Sequence, residues 1–326
     1  MANSKAILRN VLKKSLGISF SFIPQVRRAM KQGLTVFVFH EVSDHPSRFC
    51  EEYGLAVSRK TFHRQVSWIM SHFNVIHPTD VLNETPLPEG AAVISFDDGF
   101  LSSFENGLTI LEKLGVPSVV FLNMQAILEQ KPILSAIACY LNRYVPEFSD
   151  FCRSVGISSP FHITLRPSLL NSFEKLYGPV ENDAVLDYQG QFADLGILKE
   201  WNDKNTVVYG NHLFDHWNAP ALSLEEFEEQ YKKNEIALSQ LANSVKLFSF
   251  TNGKPGICFS DREVDFLKLL GAGKVFYGAG VVNRDAKKYL LGRIGLSEHD
   301  KDEDHLWFRI GRAVLNDLLY NKSRYT

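Results

Sequence analysis

Cysteine is scarce: the chain has four, Cys50, Cys139, Cys152 and Cys258, and no two form a Cys-x-x-Cys pair. That excludes a disulfide-dense scaffold and suits a reducing compartment, with a single bridge left open. No apolar run approaches the ~20 residues of a membrane-spanning helix, residues 18–23 being too short and too polar. A secretory signal would need a longer apolar core and a small-residue cleavage site. There is no Gly-rich phosphate loop, no RNA-binding aromatic signature and no internal repeat. The net charge of −2 gives no general attraction to nucleic acid, so none is expected as a partner. Acidic residues are missing altogether from residues 1–33, which carry Lys5, Arg9, Lys13, Lys14, Arg27, Arg28 and Lys31. Ile7, Leu8, Val11, Leu12 and Leu16 recur there at helical spacing. This basic segment reads either as a surface helix packed on the protein or as an amphipathic helix resting on an anionic membrane through residues 1–31. The expected location is cytoplasmic, peripheral to a membrane in the second case.

What the chain does have is enough apolar material for a large core. Its 326 residues are 45% hydrophobic and 22% charged, values of a soluble globular protein. From Leu34 strand and helix patterns alternate, the signature of parallel strands with helical crossovers. Strands are expected at 36–39, 75–76, 93–96, 118–122, 206–209, 246–250, 275–277 and 289–291. Helices are expected at 58–72, 102–114, 223–241, 260–270 and 304–320, with Ser58, Ser223 and Ser260 as caps and Ser223 with Glu226 as a capping box. The stretch 125–204 breaks the rhythm. It reads as a helical insertion, with helices at 126–144 and 167–177 and a polar stretch after Gly178, covering one side of a site. The expected organisation is a basic helical segment at 1–33 and an α/β domain at 34–326 that carries this insertion.

Two stretches carry the chemistry. In Ala91-Ala92-Val93-Ile94-Ser95-Phe96-Asp97-Asp98-Gly99-Phe100 a buried-strand pattern ends in two adjacent carboxylates. Burying both is costly unless something pairs or coordinates them. Successive strand residues point to opposite sides, so the two cannot easily share one partner. One carboxylate can bind a metal while the other works on water; the plainer reading is an Asp-Asp-Gly turn. In Gly210-Asn211-His212-Leu213-Phe214-Asp215-His216-Trp217-Asn218 two histidines four apart follow another strand, close enough to bind one ion. Two imidazoles and a carboxylate make an open site for a catalytic divalent metal.

Ser-Phe-Asp-Asp-Gly-Phe followed by His-x-x-x-His resembles the first two motifs of the polysaccharide deacetylase family, the NodB-homology domain of carbohydrate esterase family 4. The strand 34–42, the helix and strand at 107–122, and Phe248-Ser249-Phe250-Thr251-Asn252-Gly253-Lys254-Pro255 in place of the third motif agree with it. The similarity covers about residues 34–124 and 205–296. It implies a distorted α/β barrel of seven or eight (β/α) units with chemistry at the carboxyl ends of the strands. It implies metal ligation by Asp98, His212 and His216 and a general base at Asp97. The ion would be zinc first, with cobalt, nickel or manganese as alternatives. The implied reaction frees an amine on a sugar by removing an acetyl or formyl group from an N-acylated glycan or a lipid-linked precursor. Other amide or ester substrates fit the same machinery.

Three departures from the family pattern stand out. Ser249 occupies the position of the arginine that orients the base, and Thr251 that of a proline. Leu296-Ser297-Glu298-His299 is one residue out of step with the motif that supplies the acid. Arg293 is the candidate replacement for the arginine, or else a surface ion-pair residue. His40 is a candidate acid, or a structural histidine. Asp215 could support the second histidine and Trp217 could stack on a sugar, or they could face solvent and the core. Asn252 and Gly253 could shape the loop beside the sugar. The Ser249 departure also motivates a second class, a catalytically silent relative that binds glycan.

Overall fold

The computed structural model describes residues 2–83, 85–157 and 167–320. Seven strands form its centre: β1 (Thr35–Phe39), β2 (Ala91–Asp98), β3 (Ser118–Leu122), β4 (Val207–Asn211), β5 (Ser244–Ser249), β6 (Lys274–Gly278) and β7 (Leu290–Gly295). Each pairs in parallel with the next, and β1 pairs with both β2 and β7, which closes the sheet into a barrel. An eighth strand, Asn74–Val75, pairs with the first residues of β2 and stays outside the ring. The expected seven or eight staves are therefore seven.

The two-residue period of β2 builds two cores at once. Ala91 and Val93 join Val36, Val119, Phe121, Leu247, Phe276 and Leu291 in one cluster. Ala92, Ile94 and Phe96 join Phe37, Phe39, Phe62 and Val66 in the larger one, which reaches the surrounding helices. Asp97 and Asp98 continue this alternation beyond the apolar run. The crossover helices start as their caps require. Ser58 accepts from the Thr61 amide, and Ser223 and Glu226 form a reciprocal capping box at Leu224–Leu238.

Between β3 and β4 the chain runs through Met124–Glu129, Leu134–Tyr144, Pro146–Ser154, Pro167–Tyr177, Asn182–Gln189 and Leu195–Glu200, all helical. Two expectations are corrected here. The single helix at 126–144 is two, because Gln130 turns left-handed (φ 49°) and Pro132 follows in the link. The polar stretch after Gly178 contains two helices, the second capped by the Asp194 side chain on the Ile197 amide. All four cysteines are buried and free, so the bridge left open does not form.

Ahead of the barrel, Ala2–Phe22 packs along Glu303–Tyr320. Gly17 lies so close to the Asp304 carbonyl that a Cβ would stand 1.8 Å from its oxygen. Lys14 Nζ meets Asp302 at 2.6 Å, and His305 Nε2 lies 2.7 Å from Asn10 Oδ1. The same helix turns Val11, Leu12, Leu16, Ile18 and Phe22 to solvent. It is packed on one face and apolar on the other. Among the described residues no helix is long and apolar enough to cross a membrane.

Candidate metal and active site

The site stands at the carboxyl ends of β1, β2, β4 and β5. Asp97 and Asp98 are the last residues of β2, both buried, and they diverge as their alternation requires. Asp97 turns to Arg293, a buried residue of β7 and 196 positions away. Arg293 Nη1 donates to Asp97 Oδ1 at 2.6 Å and Nη2 to Oδ2 at 2.7 Å. This two-pronged geometry fixes the plane of the carboxylate. The guanidinium also lies 5.5 Å from the Phe121 ring centroid, an apolar floor with a negative face. Burial pushes the Asp97 carboxyl up, the Arg293 charge pulls it down, and the net direction is below the usual carboxylate value.

Asp98 turns to the histidines. Its Oδ1 is 3.1 Å from His216 Nε2 and 3.4 Å from His212 Nε2. The backbone bends to bring these groups together. Asp98, Leu213 and His216 are three of the four non-glycine residues with positive φ (71°, 62° and 58°) among the described residues, a concentration of strain at one place. The His-x-x-x-His segment is a loop rather than a helical turn. His212 Nδ1 donates to the Ser249 carbonyl at 2.7 Å, which leaves Nε2 with a free lone pair facing Asp98. Position 249, where the family pattern has an arginine, therefore contributes its backbone.

Whether a metal fits is testable on these atoms. Asp98, His212 and His216 each offer one ligand atom, and the three atoms lie within 4.8 Å of one another, all buried. Asp98 Oδ1 and His212 Nε2 have no hydrogen-bond partner. Buried polar atoms left unpaired at one point are costly, and a cation removes the cost. Burial pushes the Asp98 carboxyl up, yet His216 and His212 hold it well below the usual range, so it is anionic and ready to ligate. The group fits a divalent ion.

A layer of asparagines that sequence reading missed holds the histidine loop. Asn123, Asn211 and Asn234 are fully buried. Asn123 Nδ2 donates to the carbonyls of His212 and Leu213. Asn211 Oδ1 accepts from the Leu213 amide at 2.9 Å and from Asn234 Nδ2 at 2.8 Å, and Asn234 Nδ2 also donates to the Leu122 carbonyl. The left-handed Leu213 is thus pinned on both sides. The available signal was an asparagine at the end of each of two apolar strands and a third on the buried face of a helix.

Other expected residues fall in varied places. His40, just past β1, has Nε2 3.9 Å from Asp97 Oδ2 and one edge open. Burial lowers its pKa against the pull of Asp98 and Asp97, so the free imidazole is neutral. His299 is exposed, and its neighbour Glu298 caps the helix at Ser58 and Thr61 instead. Asp215 exchanges hydrogen bonds with Gln230, its amide donating to Oε1 and its Oδ2 accepting from Nε2. Trp217 packs between the cluster of Phe227, Phe248 and Phe250 and that of Phe148, Phe151 and Phe173, which gives its ring a structural task. Asn252 bonds the Asn218 side chain. Gly253 touches Gly278 so closely that a Cβ would meet its nitrogen at 2.0 Å.

No protein-family model matches the chain, and no curated protein matches its sequence. Solved structures do match its shape. IcaB from Ammonifex degensii superimposes with a TM-score of 0.57 at 17% identity, over 85% of this chain and 97% of that one. The Streptococcus pyogenes deacetylase PplD gives 0.57 at 12% identity, over 85% and 98%. A polysaccharide deacetylase from Bacillus cereus gives 0.55 at 12%, over 86% and 69%. The fold is that of the polysaccharide deacetylases. At these identities the likeness extends to architecture, and the deacetylase-fold barrel presents its buried Asp-His-His group at the strand ends.

Proposed function

We propose that this chain is a metal-dependent hydrolase that removes an N-acyl group, acetyl or formyl, from an amino sugar of a glycan or glycan precursor. The observation that carries the reading is the pair of divergent carboxylates: Asp98 on the two histidines, Asp97 clamped by Arg293 beside them. An ion held by Asp98, His212 and His216 would polarise the acyl carbonyl and lower the pKa of water, zinc being the best fit to two imidazoles and one carboxylate with open positions. Asp97 takes the proton of the attacking water. Arg293 keeps the base ionised and its plane fixed, so no reorientation is needed when the proton moves. His40, neutral at rest and 3.9 Å from Asp97, would accept the proton that Asp97 takes from the water and pass it to the leaving amine. The silent-relative reading loses its motive, since the guanidinium absent at Ser249 reaches Asp97 from β7. The reading includes a cytoplasmic enzyme held at a membrane surface by the outward face of Ala2–Phe22, within reach of a lipid-linked glycan.

The test is a panel of N-acetylated and N-formylated sugars, free, nucleotide-linked and lipid-linked, assayed for released acid alongside metal analysis of the purified chain. Asp97→Asn should keep its metal and lose hydrolysis. Equal rates in variant and parent would remove Asp97 from the base role, and a chain that binds no divalent ion would end the proposal. Deleting residues 1–30 should release the protein from anionic liposomes while sparing turnover of a soluble substrate.

A further inference from the structure

The helices between β3 and β4 gather aromatic side chains that packing alone does not use up. Tyr140 and Tyr144 on Leu134–Tyr144 and Tyr188 on Asn182–Gln189 approach one another edge to face or tilted, with ring centroids 5.0–5.9 Å apart. Together with Arg48 and Asp187 they line a surface hollow of about 390 Å³. A second hollow of about 200 Å³ shares Tyr140 and is lined also by Tyr177. Tyr144 and Tyr177 are 43% and 51% exposed, with Arg143 over the Tyr144 ring at 5.8 Å and Phe173 stacked on Tyr177 at 4.9 Å. The walls are preset. Tyr188 Oη donates to Glu52 at 2.9 Å, and Glu52 in turn takes Arg143 at 3.2 Å.

Both walls of the hollow are tied to the candidate active site. Arg48 follows Ser47, whose amide and hydroxyl donate to the Glu41 carboxylate at 3.0 and 2.8 Å, and Glu41 follows His40. On the other wall, the chain just after Tyr188 pairs with the segment after the two aspartates. The Ala193 amide donates to the Gly99 carbonyl at 2.9 Å, and Phe192 stacks on Phe100 at 5.1 Å. Gly190 lies against Ser47.

We propose that this tyrosine-lined hollow is a distal subsite for a glycan chain, which it grips several sugars away from the scissile acyl group. The inference rests on the hydrolase reading above and sharpens it: the substrate chain extends onto the helices between β3 and β4. Pyranose rings present apolar C–H faces and a rim of hydroxyls. The part-exposed Tyr144 ring suits the first, and the guanidinium of Arg48 and carboxylate of Asp187 suit the second.

N-acetylglucosamine oligomers of one to six units are the probe. The parent should show KM falling with length, and Tyr144→Ala and Arg48→Ala should each raise KM for the hexamer about tenfold. The same variants should leave kcat, and both constants for the dimer, unchanged. Calorimetric binding of the hexamer to Asp97→Asn, with and without Tyr144→Ala, reads the subsite without turnover. Hexamer hydrolysis with no length dependence, or variants indistinguishable from the parent, would overturn the subsite and leave the activity standing. Hexamer binding that Tyr144→Ala abolishes, with no hydrolysis of any oligomer, would uphold the subsite and defeat the activity. Neither binding nor hydrolysis would defeat both.

Discussion

The two sides of the candidate cleft are held in opposite ways. On the barrel side the reactive groups sit at strand ends, buried, and fixed by backbone carbonyls, asparagines and one guanidinium from the far end of the chain. On the other side stand helices with their own small core of Leu134, Phe148, Phe151 and Phe173 and with Tyr144 and Tyr177 part-exposed to water. On the proposed reading, the barrel leaves no freedom where a proton would move, and the helices offer surface where a glycan chain would lie. That reading makes chemistry and selection separable, so each should be open to damage without the other.

The largest expected effect lies on the barrel side. Asp98→Ala or His212→Ala should abolish metal retention, measured by elemental analysis, and bring hydrolysis to background. Next is Asp97→Asn, expected to lower kcat by about 10²–10⁴-fold with the metal kept. Arg293→Ala leaves a buried carboxylate unpaired and should cost about 3–5 kcal/mol in chemical denaturation. The same pair sets an acid limit for the metal-free chain. A carboxyl held below its ordinary 3.8 stabilises the fold above that pH, and the contribution is lost as pH falls below it. Arg293→Leu should therefore flatten stability against pH in that range. Asn123→Ala, acting through the histidine loop, should weaken metal binding about 10–100-fold in a competition titration. Phe148→Ala crosses to the other side. It should cost about 3–5 kcal/mol of stability there while turnover of a short soluble substrate stays at the parental rate. If short-substrate kcat falls with it, the two sides are not separable. The smallest effect is Asp215→Asn, whose metal content and kcat should match the parent within about twofold.

Much of this was legible in the sequence because strands announce themselves. The run 93–96 ending in Asp97-Asp98, and the run before His212, fixed where a site could stand, and their period of two separated the carboxylates correctly. The helix break at Gln130 was signalled by Pro132, which cannot sit inside a helix, but the apolar spacing continues on both sides of it and masked the break. The asparagine layer showed only as single polar residues at two strand ends and on a helix face, with nothing local to say what they bond. Its partners are backbone carbonyls about 90 and 110 residues away, and a side chain bonded to backbone imposes no periodicity on its neighbours. Trp217 and Gly253 invited a ligand-facing reading because they border a motif; their contacts come from the insertion core and from Gly278, elements no local pattern connects to them.

Arg293 reaches Asp97 from the last stave of the barrel, across nearly two hundred residues. While the chain is being synthesised, the aspartate and both histidines exist long before their cationic partner has left the ribosome. The ring cannot close until that final strand docks between β6 and β1, and the same strand brings the guanidinium that pairs with Asp97. Completion of the wall and pairing of Asp97 are then a single event, and a nascent chain cut short ahead of it would lack both.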